Sequence, residues 1–366
     1  MSSGLRWMDL AIFKARQGLG KTAPNPSVGC VIVKNERVVG CARTANGGRP
    51  HAETIALGQA GNKAEGADVY VTLEPCSHYG QTGPCAQALI EAKVKRVFIG
   101  TQDISSHVNG EGIKRIQAAG IETVLGLRHE KCLSLKKGFF LTVTENRPLV
   151  TLKLATSLDG KIATASGQSQ WITGPLARRY GHAQRAIHDA ILVGRGTLDS
   201  DNPKLDCRLP GVSHKLTRII LDSALNTSPE SKIFKDKSGG PVWIIYDTYN
   251  KNAGSLKKAG ANLYKVSSTR DLREVLEVLS DNGVTRLLVE GGGLVNASFM
   301  KSGLIDTVLW FRSSKVLGGD GVNGIGECNV NRLKDASILR LLETVDLGED
   351  WLEILDIPTK QVFETV

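Results

Sequence analysis

The sequence has no run of about eighteen consecutive apolar residues, the length that a membrane-spanning helix requires. Charged residues at positions 6, 9, 14 and 16 interrupt the apolar residues near the N-terminus, which a secretory signal peptide would not allow. Only seven residues are cysteines, and this odd number argues against a framework of disulfides. These absences predict a protein without a membrane span, located in the reducing cytoplasm.

The sequence also lacks a block of consecutive lysines and arginines, although its net charge is +9. Positive charge attracts either nucleic acid or phosphorylated small molecules. The basic residues are dispersed, and the second half lacks the alternation of basic and aromatic residues found in RNA-binding modules. We therefore favour a phosphorylated small-molecule ligand. A length of 366 residues exceeds what one hydrophobic core usually serves, so we expect two domains.

The clearest chemical signal is one histidine and two cysteines in the first quarter of the chain. His51 and Glu53 are separated by one residue, and Cys76 and Cys85 each follow a proline. One His and two Cys are the ligand number of a catalytic zinc, which keeps one position open for water. Glu53 could move protons between that water and a ring nitrogen. Zinc nucleobase deaminases use this pattern with two residues between the cysteines, whereas here there are eight, residues 77–84.

The local sequence places these candidate ligands at the ends of regular elements. Residues 52–60 have the pattern of a helix that ends at Gly61, and residues 69–73 that of a buried strand leading to Cys76. Pro84 favours a helix start with Cys85 in its first turn. Two helix N-termini would stabilise thiolates. A purely structural zinc stays an alternative, with His78 as its fourth ligand.

The rest of the first half predicts a mixed sheet with helices on both faces. Asn25 lies between two prolines, so a stiff loop could present its amide to a base edge; an ordinary turn Asn is the alternative. Cys30 and Cys41 lie within predicted strands, and we expect both in the core. The predicted elements are a helix at 5–19, a hairpin of strands 30–33 and 38–42, a strand at 96–100, a helix at 111–119, a strand at 121–125 and a helix at 131–140.

The second half predicts an α/β unit after a joint at residues 145–148. Two glycine-rich turns follow strands, one at residues 194–203, predicted to be a loop, and one at residues 291–293. The second turn leads into a predicted helix at 294–302, whose N-terminus could bind phosphate; a plain tight turn is the alternative. A G-x-G-x-x-G fingerprint is absent. The other predicted elements are strands at 149–155, 189–194, 217–221, 242–246 and 286–289 and helices at 176–188 and 270–280.

Residues 1 to about 145 resemble the cytidine-deaminase superfamily, and within it the bacterial riboflavin-biosynthesis deaminase/reductase family. The resemblance rests on residues 24–29, 51–53 and 75–85, with Gly83-Pro84 where that family usually has two prolines. The second half is similar to the dihydrofolate-reductase-like domain of the same family, in the runs 153–155, 157–160, 171–173, 194–203 and 290–296. The resemblance implies a two-domain α/β protein: a zinc-dependent pyrimidine deaminase at residues 1–146 and an NADPH-dependent reductase at residues 147–366.

The resemblance further implies two reactions. The first would hydrolyse the 2-amino group of 2,5-diamino-6-(5-phosphoribosylamino)-4(3H)-pyrimidinone. The second would reduce the ribosyl group of the product with NADPH and give 5-amino-6-(5-phosphoribitylamino)uracil. The family also implies one Zn²⁺, a homo-oligomer, a small-molecule substrate, and neither nucleic acid nor membrane as a partner.

Particular residues match the functional positions of the family. His51, Cys76 and Cys85 would hold zinc, and Glu53 would move protons. The positions that match NADP contacts are Ala155, Trp171, Thr197, Asp201, Ser223, Gly292, Gly293, Leu294, Val295, Asn296, Ala297 and Ser298. The positions that match sugar-phosphate contacts are Ser169, Arg185, Leu205, Arg208 and Glu290. Lys153, on a predicted strand, is a further candidate near the sugar.

Elementary chemistry is compatible with these assignments, because the forked donors of Arg185 and Arg208 suit a phosphate. The sequence identifies no proton donor for the reductive step. Three alternatives stay open at this point: an editing deaminase fused to a nucleic-acid-binding domain, a non-catalytic scaffold with a structural zinc, and a second domain that binds NADPH without turnover.

Overall fold

A computed structural model describes residues 2–79, 83–105, 108–212 and 214–358. Part of the insert between the two candidate cysteine ligands, residues 80–82, lies outside the described residues. The chain divides into two compact units, Met1–Asn146 and Arg147–Val366. Within the described ranges, no helix has both the length and the apolar character needed to cross a bilayer.

The first unit is built on a five-stranded mixed sheet. Strand order is β2-β1-β3-β4-β5; β1 is antiparallel to both of its neighbours, and β3, β4 and β5 are parallel. The elements are α1 (Ser2–Arg16), β1 (Gly29–Lys34), β2 (Arg37–Arg43), α2 (Ala52–Ala60), β3 (Asp68–Val71), α3 (Cys85–Glu91), β4 (Arg96–Ile99), α4 (Glu111–Ala118), β5 (Glu122–Leu125) and α5 (His129–Glu145).

Two apolar clusters cover the two faces of this sheet. Cys30 and Ile32 of β1 contact the cluster that includes residues of α2, α3 and α4, whereas Val31 and Val33 contact the cluster formed with α1 and α5. This alternation is the two-residue period of a strand buried on both faces. Cys30 is fully buried, as expected, but Cys41 is only half-buried, so its prediction as a core residue is right in part.

The second unit is built on a nine-stranded sheet of order β11-β10-β9-β8-β12-β6-β13-β16-β15. The first seven strands in this order are parallel, and β16 and β15 add an antiparallel edge. The elements are β6 (Leu149–Thr156), β7 (Lys161–Ala163), α6 (Pro175–Ala186), β8 (Ala190–Gly194), α7 (Arg195–Asp201), β9 (Thr217–Leu221), α8 (Lys232–Lys235), β10 (Val242–Tyr246), α9 (Ala253–Lys258), β11 (Ala261–Lys265), α10 (Leu272–Asp281), β12 (Arg286–Val289), α11 (Gly293–Ser302), β13 (Thr307–Ser313), β14 (Val322–Asn323), β15 (Arg340–Asp346) and β16 (Asp350–Asp356).

One predicted element of the second unit is wrong. The glycine-rich segment 194–203 was expected to be a loop, but its larger part forms α7. Leu198 of this short helix is 2% exposed and packs in an apolar cluster with residues of β8 and β9. Tertiary packing of one apolar side chain therefore outweighs the low helix propensity of Gly196.

Candidate active sites

The three candidate metal ligands of the first unit lie together. His51 is the residue before α2, Cys85 is the first residue of α3, and Cys76 lies in the loop after β3. Their ligand atoms all lie within 4.8 Å of one another. The Nδ1 atom of His51 is 3.3 Å from Sγ of Cys85 and 3.6 Å from Sγ of Cys76. The predicted placement at element ends is thus what brings the ligands to one point.

The electrostatics of this cluster favour a thiolate. Hydrogen bonds from the Cys85 thiol and from His51 lower the pKa of Cys76 to about 4, although burial opposes the shift. The backbone N–H of Cys85, at the start of α3, also donates to Sγ of Cys76 over 3.3 Å. One imidazole and two sulfur atoms form a donor set that suits zinc. His78 is exposed and is not a member of this cluster, so the alternative of a four-ligand structural zinc gains no support.

Glu53 lies beside the cluster in the first turn of α2 and is only 3% exposed. Its Oε2 atom is buried and has no hydrogen-bond partner among the described residues. Burial first, and then the negative charge of Cys76, raise the pKa of Glu53 to about 7. A buried carboxylate oxygen without a protein partner needs a donor from a ligand or a water. These residues therefore fit a zinc ion with a water at its open position.

A cleft opens in front of the cluster, and Asn25 and Glu53 both line it. Nδ2 of Asn25 donates to the carbonyl oxygen of Gly48 over 2.9 Å. That Asn25 binds a base edge stays a prediction. Its side chain lines the cleft, and the hydrogen bond to Gly48, together with the two flanking prolines, holds its amide.

Glu74 is a residue of this site that sequence reasoning missed. Its buried carboxylate accepts four backbone N–H groups, at 2.9–3.2 Å, from the segment that runs into the start of α4. A Cβ atom at Gly112 would lie 2.0 Å from the carbonyl oxygen of Pro75, so only glycine allows this approach. Glu74 thus fixes a wall of the cleft two residues before Cys76. The sequence offers no local signal for it, because all four donors are about thirty to forty residues away in sequence.

The second site lies where the parallel strands of the second unit end. The register pairs Val289 of β12 with Leu152 of β6 and with Leu192 of β8. Glu290 directly follows β12, and Lys153, at the same level of the adjacent strand β6, therefore lies beside it near this edge of the sheet. The carboxyl edge of a parallel sheet is the usual position for ligands in α/β proteins.

Glu290 is the centre of a buried ion-pair network at this edge. Its carboxylate accepts from Nε of Arg185 at 2.8 Å, from Nη2 of Arg185 at 3.1 Å and from Nζ of Lys153 at 3.3 Å. The charges of Arg185 and Lys153 outweigh burial and hold the pKa of Glu290 well below its ordinary value. The structure therefore brings together three predicted substrate residues: Lys153 on β6, Arg185 on α6 and Glu290 directly after β12.

Arg208 and Leu205 are also predicted to contact substrate, but the side chain of Arg208 is exposed and that of Leu205 is buried. Arg208 is ion-paired with Asp206, its side chain is 57% exposed, and its backbone N–H donates to Nδ1 of His182. Nη1 of Arg185 donates to the carbonyl oxygen of Asp206 over 2.8 Å, so both guanidinium groups adjoin one turn. The side chain of Leu205 is buried in an apolar cluster, and only its backbone could reach a ligand.

Several predicted cofactor residues adjoin one another, and one of them adjoins the predicted substrate residue Ser169. The hydroxyl of Ser169 is 3.5 Å from Oδ1 of Asp201, at the end of α7. A Cβ atom added at Gly292 would lie 3.4 Å from Oγ1 of Thr197, so the start of α11 adjoins α7. Ser223 follows β9, whose Leu221 pairs with the last residue of β8. These residues therefore lie at the same sheet edge as Glu290.

Not every residue of the predicted turn at 292–298 is available to a ligand. Leu294 is 82% exposed, whereas Asn296 and Ala297 are buried within the unit. The hydroxyl of Ser298 donates to the carbonyl oxygen of Leu294 over 2.9 Å. Gly292 and Gly293 begin α11, so the backbone N–H groups of its first turn, rather than side chains, are the donors it offers. Val295 is half-buried, and Ala155 is half-buried on β6.

Trp171 is 59% exposed and is held by two cations that sequence reasoning missed. The guanidinium carbon of Arg178 lies 4.5 Å from the centroid of the indole ring. Nζ of Lys315 donates to the carbonyl oxygens of Trp171 and Ile172 over 2.6 and 2.9 Å. An exposed aromatic ring fixed in this way is suited to stack on another planar ring.

Comparisons with known proteins agree with this division into two sites. Residues 1–101 match the cytidine and deoxycytidylate deaminase zinc-binding region, and residues 148–352 match the RibD C-terminal domain. The riboflavin biosynthesis protein RibD of Aquifex aeolicus is 38% identical over 344 residues, which cover 94% of this chain and 96% of that protein. The chain belongs to the RibD family. It is therefore a bifunctional deaminase and reductase of riboflavin biosynthesis.

Solved structures of similar proteins match the fold over nearly the whole chain. A RibD structure from Acinetobacter baumannii has a TM-score of 0.88 at 34% identity and covers 98% of this chain and 99% of its own. A diaminohydroxyphosphoribosylaminopyrimidine deaminase/5-amino-6-(5-phosphoribosylamino)uracil reductase from Thermotoga maritima has a TM-score of 0.86 at 32% identity and covers 97% and 99%. The predicted fold class is confirmed, and the editing-deaminase and non-catalytic alternatives are excluded. The homo-oligomer and the cytoplasmic location stay predictions.

Proposed function

We propose that the first unit of this chain hydrolyses the 2-amino group of 2,5-diamino-6-(5-phosphoribosylamino)-4(3H)-pyrimidinone, and that the second unit then reduces the ribosyl group of the product to ribityl with NADPH. The observation that carries the proposal is the His51, Cys76 and Cys85 cluster beside the unpartnered oxygen of Glu53, in a chain that also has the Glu290 network. The relative from Thermotoga maritima, a diaminohydroxyphosphoribosylaminopyrimidine deaminase/5-amino-6-(5-phosphoribosylamino)uracil reductase by name, supports the same pair of reactions.

In the first unit, His51, Cys76 and Cys85 would hold one Zn²⁺. A bound zinc supplies a water whose pKa is near neutrality. Glu53 would accept one proton of that water on its unpartnered Oε2 and pass it to the pyrimidine ring nitrogen. It would then carry the second proton of the same oxygen to the amino group, which leaves as ammonia. Its burial suits this role, because burial raises the pKa of a carboxyl group and so favours the uptake of a proton. Asn25 would orient the base from the opposite segment of the cleft.

In the second unit, Arg185 and Arg208 would bind the substrate phosphate, with Ser169 and the Leu205 backbone beside them. Lys153 lies at the same sheet edge and would contact the opened ribose. Exposed Trp171, the α7 residues Thr197 and Asp201, Ser223, Ala155 and the first turn of α11 would bind NADPH. Hydride transfer to C1 of the sugar requires cofactor and sugar in one cleft, which the shared sheet edge allows.

A coupled assay on purified, zinc-loaded protein tests both reactions. The diaminopyrimidinone ribosyl phosphate is supplied with and without NADPH, and ammonia release and NADPH absorbance are followed. We expect ammonia in both conditions and NADPH oxidation only after deamination. Ammonia release without NADPH oxidation would overturn the reductase half of the proposal. The absence of both signals, with ammonia released from single-stranded RNA instead, would overturn the whole proposal.

Removal of zinc is expected to abolish deamination and to spare reduction. A strong chelator should eliminate ammonia release, because His51, Cys76 and Cys85 are the only metal-ligand cluster of three or more such residues within the described ranges. Added Zn²⁺ should restore it, since the three ligands come from elements with a shared apolar core. The control is NADPH oxidation by the same chelated sample with deaminated substrate. A parallel loss of both activities would contradict the assignment of zinc to the first unit alone.

Replacing Arg208 with alanine is expected to raise the KM for the deaminated substrate by about tenfold or more, because a charge-assisted hydrogen bond contributes about 1.5–3 kcal/mol. The KM for NADPH should change little. The matched control is Arg179→Ala, since Arg179 is an exposed arginine of α6. An unchanged substrate KM in Arg208→Ala would remove Arg208 from the phosphate site.

A further inference from the structure

Lys136 of α5 is the largest fully buried side chain in the part of the chain that the structure describes. Within those residues it forms no ion pair with a carboxylate. Lysines are almost never fully buried unless they are paired with an opposite charge. The ammonium group of Lys136 therefore needs an explanation beyond core packing.

The ammonium joins two segments that are far apart in sequence. Nζ of Lys136 donates to the carbonyl oxygen of Ser27 and, over 3.3 Å, to Oγ1 of Thr72. The same hydroxyl oxygen of Thr72 accepts the backbone N–H of Gly29 over 3.1 Å. Lys136 thus links the segment before β1 to the end of β3 through one buried charge.

Both of these segments form the deaminase cleft. Asn25, two residues before Ser27, lines the cleft from one segment. Glu74 and Cys76 follow Thr72 and line it from the other. Phe139, about one turn further along α5, also lines the cleft. Lys136 therefore lies behind the residues that line the cleft. From this position it can set the distance between the two sides of the cleft.

Keeping a charge at this position is unfavourable for folding. Burial lowers the pKa of Lys136 to about 8 from an ordinary value of 10.5. A folded-state pKa below the unfolded one means that the unfolded chain binds more protons between these two values, so stability rises with pH through that window. At neutral pH the cost of burying the ammonium is fully present. A methionine would occupy a similar volume without this cost.

We propose that Lys136 is a positioning residue of the deaminase site, which holds the Asn25 segment and the Glu74–Cys76 segment at a fixed separation across the cleft. The inference rests on the proposed deamination by the first unit. The ammonium affects the rate only by fixing the geometry of the cleft, because neither Ser27 nor Thr72 takes part in the proposed chemistry. A site that is misplaced by about 1 Å can lose about 10²-fold in rate.

The test compares Lys136→Met with the wild-type full-length, zinc-loaded protein. We expect the kcat/KM of deamination to fall by about 10²-fold, with a raised KM, because the two sides of the cleft are no longer joined. Zinc content should not change, and the thermal midpoint should be equal or higher, because a buried charge has been removed. NADPH oxidation with deaminated substrate should also be unchanged. A purely structural lysine would instead lower the midpoint and the activity together.

Two further variants sharpen the comparison. Lys131→Met, on the same helix but exposed, should behave as wild type. Lys136→Gln removes the charge and keeps an N–H donor. Its kcat/KM for deamination should therefore be at least tenfold higher than that of Lys136→Met. It also carries the test if the methionine variant does not fold. If Lys136→Gln loses as much activity as Lys136→Met, the hydrogen bonds are not what positions the cleft, and the proposal is overturned.

The remaining outcomes separate this inference from the proposed function. Wild-type deamination by Lys136→Met, or a lowered thermal midpoint with a parallel loss of activity, would overturn the positioning role alone. No ammonia from the wild-type protein in the same assay would overturn the proposed function and this inference with it.

Discussion

Replacing Glu53 with glutamine is expected to reduce the rate of deamination by several orders of magnitude, on the order of 10³-fold. Glutamine has nearly the same shape but cannot take up or release a proton in the catalytic range. The lost group is the one buried carboxylate oxygen beside the ligand cluster that has no hydrogen-bond partner among the described residues. Zinc content should not change, because Glu53 is not one of the three ligand residues. Ammonia release and metal content, measured on the same preparation, check both parts.

Two controls make this result specific. Glu65→Gln changes an exposed carboxylate of the same unit, with a side chain that is 66% exposed, and should deaminate at the wild-type rate. Glu53→Gln should still oxidise NADPH when deaminated substrate is supplied, because each unit has its own apolar clusters. If the variant lost both activities equally, the two sites would not be independent. If it kept its deamination rate, Glu53 would not be the proton carrier.

Replacing Glu290 with glutamine is expected to lower the kcat/KM of the reductive step by about 10²-fold. In the wild-type protein the carboxylate of Glu290 holds both Arg185 and Lys153, whose side chains are only 14% and 22% exposed. Without its charge these cations lose their common partner and should shift from the positions in which we propose that they meet the phosphate and the sugar. NADPH oxidation with deaminated substrate, at varied substrate concentration, measures the effect.

The same substitution should destabilise the second unit. Removing one partner of a buried ion pair typically costs about 3–5 kcal/mol, because the remaining charge stays buried without compensation. Denaturant unfolding of the two proteins measures this difference. Glu327→Gln, a change of an exposed carboxylate in the same unit, is the matched control. Unchanged reduction kinetics in Glu290→Gln would show that the network holds the fold and does not place the substrate.

Much of the first site could be predicted from the sequence because its signals are local. The helix at 52–60 was predicted with the bounds that the structure shows, and Pro84 does precede the helix that begins at Cys85. His51 and Cys85 adjoin predicted helix starts and Cys76 follows a predicted strand, so the three ligands could be assigned from local pattern before the fold was known. The resemblance to a family added the second reaction and the residues of its site.

What the sequence by itself determined is therefore the set of chemical groups and most of the elements that carry them. Only the tertiary structure decided which groups, distant in sequence, bind to the same carboxylate or to the same buried ammonium. Glu290 meets Lys153 because the parallel strands β6 and β12 are adjacent, and it meets Arg185 because α6 packs against the same unit. Lys153 and Arg185 are 137 and 105 positions away from Glu290 in sequence. Glu74 receives its four backbone donors, and Lys136 becomes buried, through packing that no local pattern encodes. The physical reason is that periodicity and propensity describe a residue's neighbours along the chain, whereas these contacts depend on strand order and register.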